Sequence, residues 1–289
     1  MNRSTNKKKY RQQQIAFVII GIFTLFVILV LVALLVFIIK NGAGAISREF
    51  LTAFPKEGMT EGGIFPAILG TFLLSLLSMT MAVPLGVGAA IYMIEYAGDT
   101  RATRVIRVAT NNLAGVPSVV FGLFGLALFV KLMSMGASIL AGSLTLMLMA
   151  LPVVIRATEE ALKTVPDELR QGSLALGATK FQTITRVVLP ASIPGIITGV
   201  VICLGRVAGE TAPILFTCAA YFLPRLPSSI FDQVMALPYH LYFVATEGTH
   251  IEKTRPLAFG TALVLLLLVL FMNGFAIIYR NRARKKYLG

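Results

Sequence analysis

The sequence predicts an all-α integral membrane protein with six transmembrane helices. Of its 289 residues 56% are hydrophobic and only 13% are charged, and the mean hydropathy of +0.82 exceeds what a soluble core needs. The apolar residues form runs near the roughly 20 residues that a helix needs to cross a bilayer, and they lack the alternation of barrel strands. Because only helices and closed barrels satisfy the backbone in lipid, these runs predict helices.

The first predicted span covers residues 15–39 and follows a basic tail at 1–14. Ala43-Gly44-Ala45 could be read as the cleavage site of a signal peptide. A run of 25 residues is too long for the apolar part of a signal peptide, so we interpret it as an uncleaved transmembrane helix.

The other five predicted spans form a core at 67–279, before a second basic tail at 280–289. They cover residues 67–94, 113–133, 137–155, 191–220 and 257–279. Gly and Pro interrupt the second, third and fifth spans, which favours close helix packing inside the bundle. The first and last spans carry few small residues and are expected to face lipid.

The distribution of basic residues predicts that both termini are cytoplasmic. Of the 26 Lys and Arg residues, 18 lie in the two tails and in the loops 95–112 and 156–190, and seven lie on the other side. The net charge of +13 would suggest nucleic-acid binding in a soluble protein. Here orientation in the membrane explains it, and no nucleic-acid partner is expected.

The cysteines and histidines predict neither a disulfide nor a metal site. Cys203 and Cys218 fall in one predicted helix, roughly 22 Å apart, which is beyond disulfide reach. His240 and His250, in the outer segment 222–256, lack carboxylate partners at ligand spacing. That segment also contains an apolar stretch, 231–246, which predicts a short re-entrant or surface helix.

The long cytoplasmic loop, 156–190, is predicted to be helical. Glu159 and Lys163 have the spacing of a stabilising helical pair, and Thr164 three residues before Asp167 resembles a capped helix start. The apolar set that follows, interrupted near Gly177, comprises Leu169, Leu174, Leu176 and Phe181. Such an element could dock into a groove on another protein or lie on the membrane surface.

Gly177 is followed after nine residues by Val187 and then by Leu189-Pro190. In this spacing, that part of the loop resembles the EAA motif of the permease subunits of bacterial ABC importers. The chain departs from the motif at its first three positions, where Gln171-Gly172-Ser173 replaces Glu-Ala-Ala, so the acidic side chain that often contacts the ATPase is missing. In that family the loop forms the coupling helix, which inserts into a groove of the cytoplasmic ATPase. The resemblance implies ATPase coupling by Gln171, Gly172, Ser173, Leu176, Gly177, Ala178, Leu189 and Pro190.

The resemblance covers nearly the whole chain. The segments 84–97, 113–126, 205–217 and 236–242 look like the phosphate permeases of the PstA family, and Thr-Ala-Pro at 211–213 favours these over the sister family PstC. This implies a type I, MetI-like permease fold in a bacterial plasma membrane. The implied partners are a PstC-like permease, a PstB-like ATPase dimer and an extracytoplasmic phosphate-binding protein of the PstS type.

The sequence also leaves other function classes open. The chain contains no Gly-x4-Gly-Lys-Ser/Thr loop, so it is predicted to hydrolyse no ATP and to need no cofactor. A PstC-type subunit, a permease for molybdate or sulfate, and a secondary transporter or channel are the alternatives. An intramembrane enzyme is disfavoured because no nucleophile lies near a histidine.

Two charges interrupt the predicted fifth span. Arg206 lies about 20 Å along the helix from Ile193, where a charge costs about 2.5–3.5 kcal/mol, so it should face a protein interior or a wet cavity. On a continuous helix, Glu210 and Pro213 share the face of Arg206. Either the two charges only neutralise each other, or the face lines a substrate pathway through Arg206, Glu210, Thr211 and Pro213.

In the pathway interpretation, three of these residues have a specific chemical role. The forked donors of Arg206 match phosphate oxygens, and Glu210 would keep the anion from binding too tightly. Pro213 frees a carbonyl and would allow a hinge or gate.

Overall fold

The computed structural model describes residues 3–56, 61–223, 225–246 and 251–287, most of them in helices. The α-helices are α1 Arg3–Gly42, α2 Arg48–Thr52, α3 Phe65–Ile91, α4 Arg101–Ala114, α5 Ser118–Gly125, α6 Ile139–Lys163, α7 Asp167–Ala175, α8 Lys180–Thr183, α9 Leu189–Gly209, α10 Ala212–Thr217, α11 Leu237–Thr246 and α12 Ile251–Tyr287. Turns of π-helix extend α3 (Tyr92–Tyr96) and α5 (Leu126–Leu132) and join α8 to α9 (Ile184–Val188); a 3₁₀ turn covers Ala43–Ala45. A two-stranded antiparallel ribbon pairs β1 (Pro55–Lys56) with β2 (Glu61–Gly62).

Among the described residues, five helical stretches are long and apolar enough to cross a membrane. They are Gln12–Ala45, Phe65–Tyr96, Ile139–Lys163, Lys180–Gly209 and Thr254–Arg282. The sixth expected span, 113–133, corresponds to a pair of helices, Arg101–Ala114 and Ser118–Leu132, that meet at 102°. Its membrane part is therefore shorter than expected, because the chain turns sharply at Gly115–Pro117.

The interior of the bundle is built from α3, α6 and α9, which pack against one another. Small residues allow the close approach of α9 to α6: a Cβ on Gly195 would lie 2.7 Å from the Cβ of Ala161, and Gly199 meets Ala157 one turn away. The expectation that the spans interrupted by Gly and Pro lie inside holds for α3 and α9, in the second and fifth spans. The third span agrees less well, because α5 exposes Val119, Val120, Leu123 and Phe124, and α6 belongs to the fourth span, which was not among those expected inside. In contrast, the span of α1 is exposed along its length, and its C-terminal end packs on α12 through Phe37 and Phe259.

The two cysteines are buried free thiols, as expected, but they do not share a helix. Cys203 lies in α9, whereas Cys218 follows α10, beyond a break in the chain. Cys218 fills the space beside Gly142 of α6. Their expected spacing along one helix was therefore wrong, although their role as apolar core residues agrees with their burial.

The outer segment folds back over the ends of α3 and α6. The backbone N–H groups of Ile139 and Leu140 donate to the carbonyls of Asp232 and Ile230, both at 2.9 Å, which satisfies the first turn of α6. The backbone N–H of Leu237 donates to the hydroxyl of Thr71 in α3 at 2.8 Å. The short helix expected within 231–246 is present as α11, and it is packed against α12 and α3 rather than lying on the surface.

Candidate functional site

The fifth span is interrupted where the sequence places its charges. α9 ends at Gly209, the backbone of Glu210 is extended (φ −73°, ψ 130°), and α10 begins at Ala212. Pro213 explains the position of the break, because it lacks the N–H that would bond to the carbonyl of Gly209, and its ring clashes with that carbonyl. The expectation that Arg206, Glu210 and Pro213 share one face of a continuous helix is therefore wrong.

Arg206 and Glu210 nevertheless form an ion pair, with Arg206 Nε donating to Glu210 Oε1 at 3.3 Å. The Arg206 side chain is 43% exposed and that of Glu210 15% exposed. Within the part of the chain that is described, no other hydrogen bond is made by the Arg206 guanidinium. Its forked end is thus available, on a face of α9 that also exposes Ile202 and Gly209.

The remaining predicted pathway residues lie on the other side of the break. Thr211 is half-buried, and its carbonyl accepts the N–H of Leu215 at 3.0 Å. Pro213 is buried in the first turn of α10, where its Cα lies against Gly122 of α5. The structure thus places Arg206 and Glu210 together, while Pro213 holds α10 on α5.

The two glycines beside the ion pair differ in their surroundings. A Cβ on Gly205 would lie 3.2 Å from Asn273 Nδ2 of α12, so a helix does approach closely there. Nothing lies within 4 Å of the corresponding point at Gly209. The close helix packing expected from the glycines of the fifth span is therefore present at Gly205 and not at Gly209.

The cytoplasmic loop forms a helix-turn-helix element, which we define as residues 167–183 and call the coupling element. It consists of α7, a turn at Gly177 (φ +85°), and α8, whose N-cap Thr179 exchanges hydrogen bonds with Gln182 in a capping box. The positive φ favours glycine at 177, where the break was expected. The helix start differs from the expectation: Pro166 is the N-cap of α7, and Thr164 ends α6 by donating to the carbonyl of Ala161.

Most of the residues that resemble the EAA motif are accessible on this element. Gln171 and Gly172 are exposed, and Leu176 is 90% exposed at the end of α7. Ser173 and Ala178 hold the element together: the Ser173 hydroxyl lies 2.9 Å from that of Thr183, and the Ala178 N–H donates to the Ser173 carbonyl. Leu189 and Pro190 are half-buried in the first turn of α9, well past Gly177. Leu169, Leu174 and Phe181 are also exposed.

The acidic residues at the end of α6 pair differently from the expectation. Glu159 is buried and accepts a hydrogen bond from Arg107 Nε of α4 at 3.0 Å, whereas Lys163 pairs with Glu160 at 3.4 Å. Glu159 and Lys163 were expected to pair with each other. Burial of Glu159 under α4 requires a closer cation, which Arg107 supplies.

In the outer segment, His240 is buried and its Nδ1 has no hydrogen-bond partner among the described residues. Desolvation by burial lowers the pKa of His240 to about 4. The other histidine, His250, lies outside the described residues.

Stability should therefore fall in mild acid because of His240. Above pH 6.5 the imidazole is neutral whether the chain is folded or unfolded. Between pH 6.5 and about 4 the unfolded chain binds a proton that the folded chain excludes, which costs on the order of 3 kcal/mol at the lower end. We expect the Tm of the purified protein to drop from pH 7 to pH 5, and to drop less in His240→Phe. An equal drop in both proteins would contradict this prediction.

The sequence of the chain matches a known family over most of its length. Residues 82–285 fit the family described as binding-protein-dependent transport system inner membrane component. The chain belongs to this family. It is therefore a multi-span membrane permease of an ABC transporter, and the family resemblance seen in its coupling element is confirmed.

Curated relatives extend the match. The chain is 39% identical over 264 residues to the phosphate transport system permease protein PstA of Mycobacterium leprae, which covers 90% of this chain and 85% of that one. The similarity to PstA proteins inferred from four sequence segments is thus confirmed across most of the chain.

Solved structures of permeases from ABC transporters share the fold. A chain of the methionine ABC transporter MetNI, in an inward-facing conformation, superposes with a TM-score of 0.59 at 18% identity, covering 76% of this chain and 94% of that one. A chain of a bacterial alginate ABC transporter, in complex with a periplasmic protein that holds an alginate pentasaccharide, superposes with a TM-score of 0.64 at 16% identity, covering 93% and 94%. The expected MetI-like permease fold is confirmed.

Proposed function

We propose that this chain is the PstA-type permease subunit of an ATP-driven importer of inorganic phosphate and forms half of its translocation pathway. The observation that carries the proposal is the break between α9 and α10, with Arg206 on an uncovered face beside it. The names of the relatives, among them PstA of Mycobacterium leprae, support phosphate as the transported ion.

The break itself argues for a pathway at this point. Glu210 lies about 25 Å along the helix from Ile193, within a hydrocarbon layer of roughly 30 Å if α9 enters lipid there. Non-helical backbone at membrane depth is tolerated only where protein buries it or water reaches it. A cation on a lipid-facing surface is similarly costly. This face therefore needs a cover that the single chain does not supply, and a homologous, PstC-like permease would provide it.

The ion pair fits an anion in transit. Arg206 uses Nε for Glu210, which leaves the two terminal nitrogens of the guanidinium to donate to two oxygens of one phosphate. Glu210, held 3.3 Å away, offsets part of the positive charge and so weakens the hold on the dianion. Transport needs such a compromise, because a site that binds too tightly does not release.

The coupling element is the proposed contact with a separate, PstB-like ATPase dimer. Its exposed apolar residues, led by Leu176, would be unfavourable in water and fit a hydrophobic groove. The residues assigned to this contact are those of the EAA-like motif, from Gln171 to Pro190. The chain itself contributes no ATP-binding loop.

Orientation follows from the same assignment. With the coupling element in the cytoplasm, the basic tails 1–14 and 280–289 are cytoplasmic, and the permease core occupies a bacterial plasma membrane. The segment 222–256 then faces outward, where a PstS-like phosphate-binding protein would deliver its ligand. The described part of this segment is held to α6 by backbone hydrogen bonds and to α3 by the bond from the Leu237 N–H to the Thr71 hydroxyl, so it offers a structured docking surface.

The test is uptake by a reconstituted complex. The chain is co-expressed with its genomic neighbours, purified by a tag on this chain alone, and placed in vesicles with the binding protein. We expect an ATPase and a second permease to co-purify and radiolabelled phosphate to accumulate only with ATP. Preferential uptake of molybdate or sulfate would instead assign another oxyanion. Uptake without any ATPase would favour a secondary transporter and contradict the proposal.

A further inference from the structure

Arg170 of α7 joins three parts of the chain through one guanidinium. Its Nε and Nη2 both donate to Glu95 Oε1, at 3.2 and 3.0 Å. Nη2 also donates to the carbonyl of Leu162 at 2.9 Å, and Nη1 donates to the carbonyl of Val165 at 2.6 Å and to Asp167 Oδ1 at 3.0 Å. All of the donor nitrogens of the side chain are used.

These partners belong to different transmembrane helices. Glu95 lies in the π-helical turn that ends α3, 75 residues earlier in the sequence, and Leu162 lies in the last turn of α6. Leu162 lies in the last turn of α6 and Val165 directly follows the helix, where the partial negative charge of the helix C-terminus favours a cation. Arg170 therefore fastens the coupling element to the inner ends of α3 and α6.

The Arg170–Glu95 ion pair is protected from solvent, whereas the nearby Arg104–Asp99 pair is exposed. The side chains of Arg170 and Glu95 are 18% and 9% exposed, whereas those of Arg104 and Asp99, paired 3.4 Å apart, are 69% and 71% exposed. Screening by water and salt makes the exposed pair weak, while a buried, multiply bonded pair fixes geometry. The exposed Arg104–Asp99 pair can therefore serve as a control for the protected Arg170–Glu95 pair on the same side of the protein.

A second contact joins the other half of the coupling element to the same turn of α3. Lys180 Nζ of α8 lies 5.2 Å from the centre of the Tyr96 ring. Along the chain, the coupling element is connected only to α6 and to α9. Contacts with Glu95 and Tyr96 add α3, which packs along α6 in the interior of the bundle.

We propose that Arg170 and Glu95 are positioning residues that make α3 move with the coupling element when the ATPase displaces it. This inference depends on the proposed function, since it assumes an ATPase at that element. Without the pair, a displacement of the coupling element can be taken up by bending of the backbone on either side of α7, at 164–166 and at Gly177, so that α3 does not move. ATP would then be hydrolysed with less movement of the helices that line the pathway.

The experiment measures coupling in the reconstituted complex, as phosphate transported per ATP hydrolysed. We expect Glu95→Ala and Arg170→Ala each to lower this ratio about tenfold while ATPase co-purification and binding-protein-stimulated hydrolysis persist. Because the two residues act as one unit, the double variant should be no worse than either single variant. Glu95→Gln, which keeps the shape and an acceptor oxygen, should restore part of the ratio and allows assembly if the alanine variants fail to assemble. Asp99→Ala and Arg104→Ala are matched controls and should leave the ratio unchanged.

Other results would overturn the inference. An unchanged ratio in Glu95→Gln and in every alanine variant that assembles would remove any role in coupling. Equal losses of transport and hydrolysis, or additive effects in the double variant, would indicate a purely structural pair. If the unmodified complex shows no ATP-dependent phosphate uptake, the proposed function fails as a whole, whereas normal uptake with unaffected variants rejects only this inference.

Discussion

Replacing Leu176 with Asp is expected to reduce ATP-driven phosphate uptake to background. Leu176, at the end of α7, is the most exposed of the large apolar residues on the coupling element. Its exposed fraction is 90%, and no described residue covers it. If it inserts into an apolar groove of the ATPase, a carboxylate there would be buried without a partner. A loss of at least about 2 kcal/mol, or about 30-fold in affinity, follows for a central contact of this kind.

The measurement is recovery of the ATPase with the tagged permease, followed by uptake in vesicles. Leu176→Met is the matched control, because it preserves the volume and apolar character of the side chain. It should retain both the recovery of the ATPase and the uptake of phosphate. The variant proteins should keep the same Tm, since Leu176 contributes little to the folded core. Full ATPase recovery with Leu176→Asp would show that the groove contact lies elsewhere, or that the element rests on the membrane surface.

Replacing Arg206 should block the passage of phosphate without separating the subunits. Arg206→Ala removes the cation and leaves Glu210 alone beside the break in the helix, where an unpaired carboxylate repels the dianion. We expect uptake near background while the ATPase still co-purifies. Arg206→Lys keeps the charge but loses the two parallel donors, so its uptake should fall about tenfold, equivalent to about 1.4 kcal/mol in the transport barrier.

A second arginine, which contacts α9 from another helix, provides the control. Arg280 of α12 donates from Nη1 to the hydroxyl of Thr198 in α9 at 3.4 Å, near the inner end of the helix and away from the break. Arg280→Lys should transport phosphate nearly as well as the unmodified protein. Unchanged uptake in Arg206→Lys would argue against a two-pronged contact with phosphate, and unchanged uptake in Arg206→Ala would argue against any pathway role.

Local chemistry made several features predictable from the sequence. A single glycine among polar and apolar residues marks the turn at Gly177, where the backbone adopts a positive φ. An arginine inside a long apolar run is similarly conspicuous, and Arg206 does pair with Glu210. The signal for the break after Gly209 was also present, because a proline at 213 removes the bond to that carbonyl. A proline is equally compatible with a kink or a hinge within one helix, and here it accompanies a full break between α9 and α10.

Other features depend on contacts that no local pattern contains. The Arg170–Glu95 pair joins positions 75 residues apart, and neither side chain stands out in its own segment. The predicted partner of Glu159, Lys163, was wrong because Glu159 pairs with Arg107 on another helix. In α4 a local signal existed: Thr100 caps a helix that presents Thr103 and Arg107 to the protein. The basic residues of the loop 95–112 predict its side of the membrane, but they do not predict the helix Arg101–Ala114.

The sharp turn before α5 changes how far an ion must travel without water. The helical segment Ser118–Leu132 is 15 residues long, so it reaches about 22 Å at most, some 8 Å less than a typical hydrocarbon layer. A short segment draws the surrounding lipid inward or lets solvent enter at its ends. A bilayer that matched this segment would be thinner by about a quarter beside α5, and so beside the α10 that packs on it.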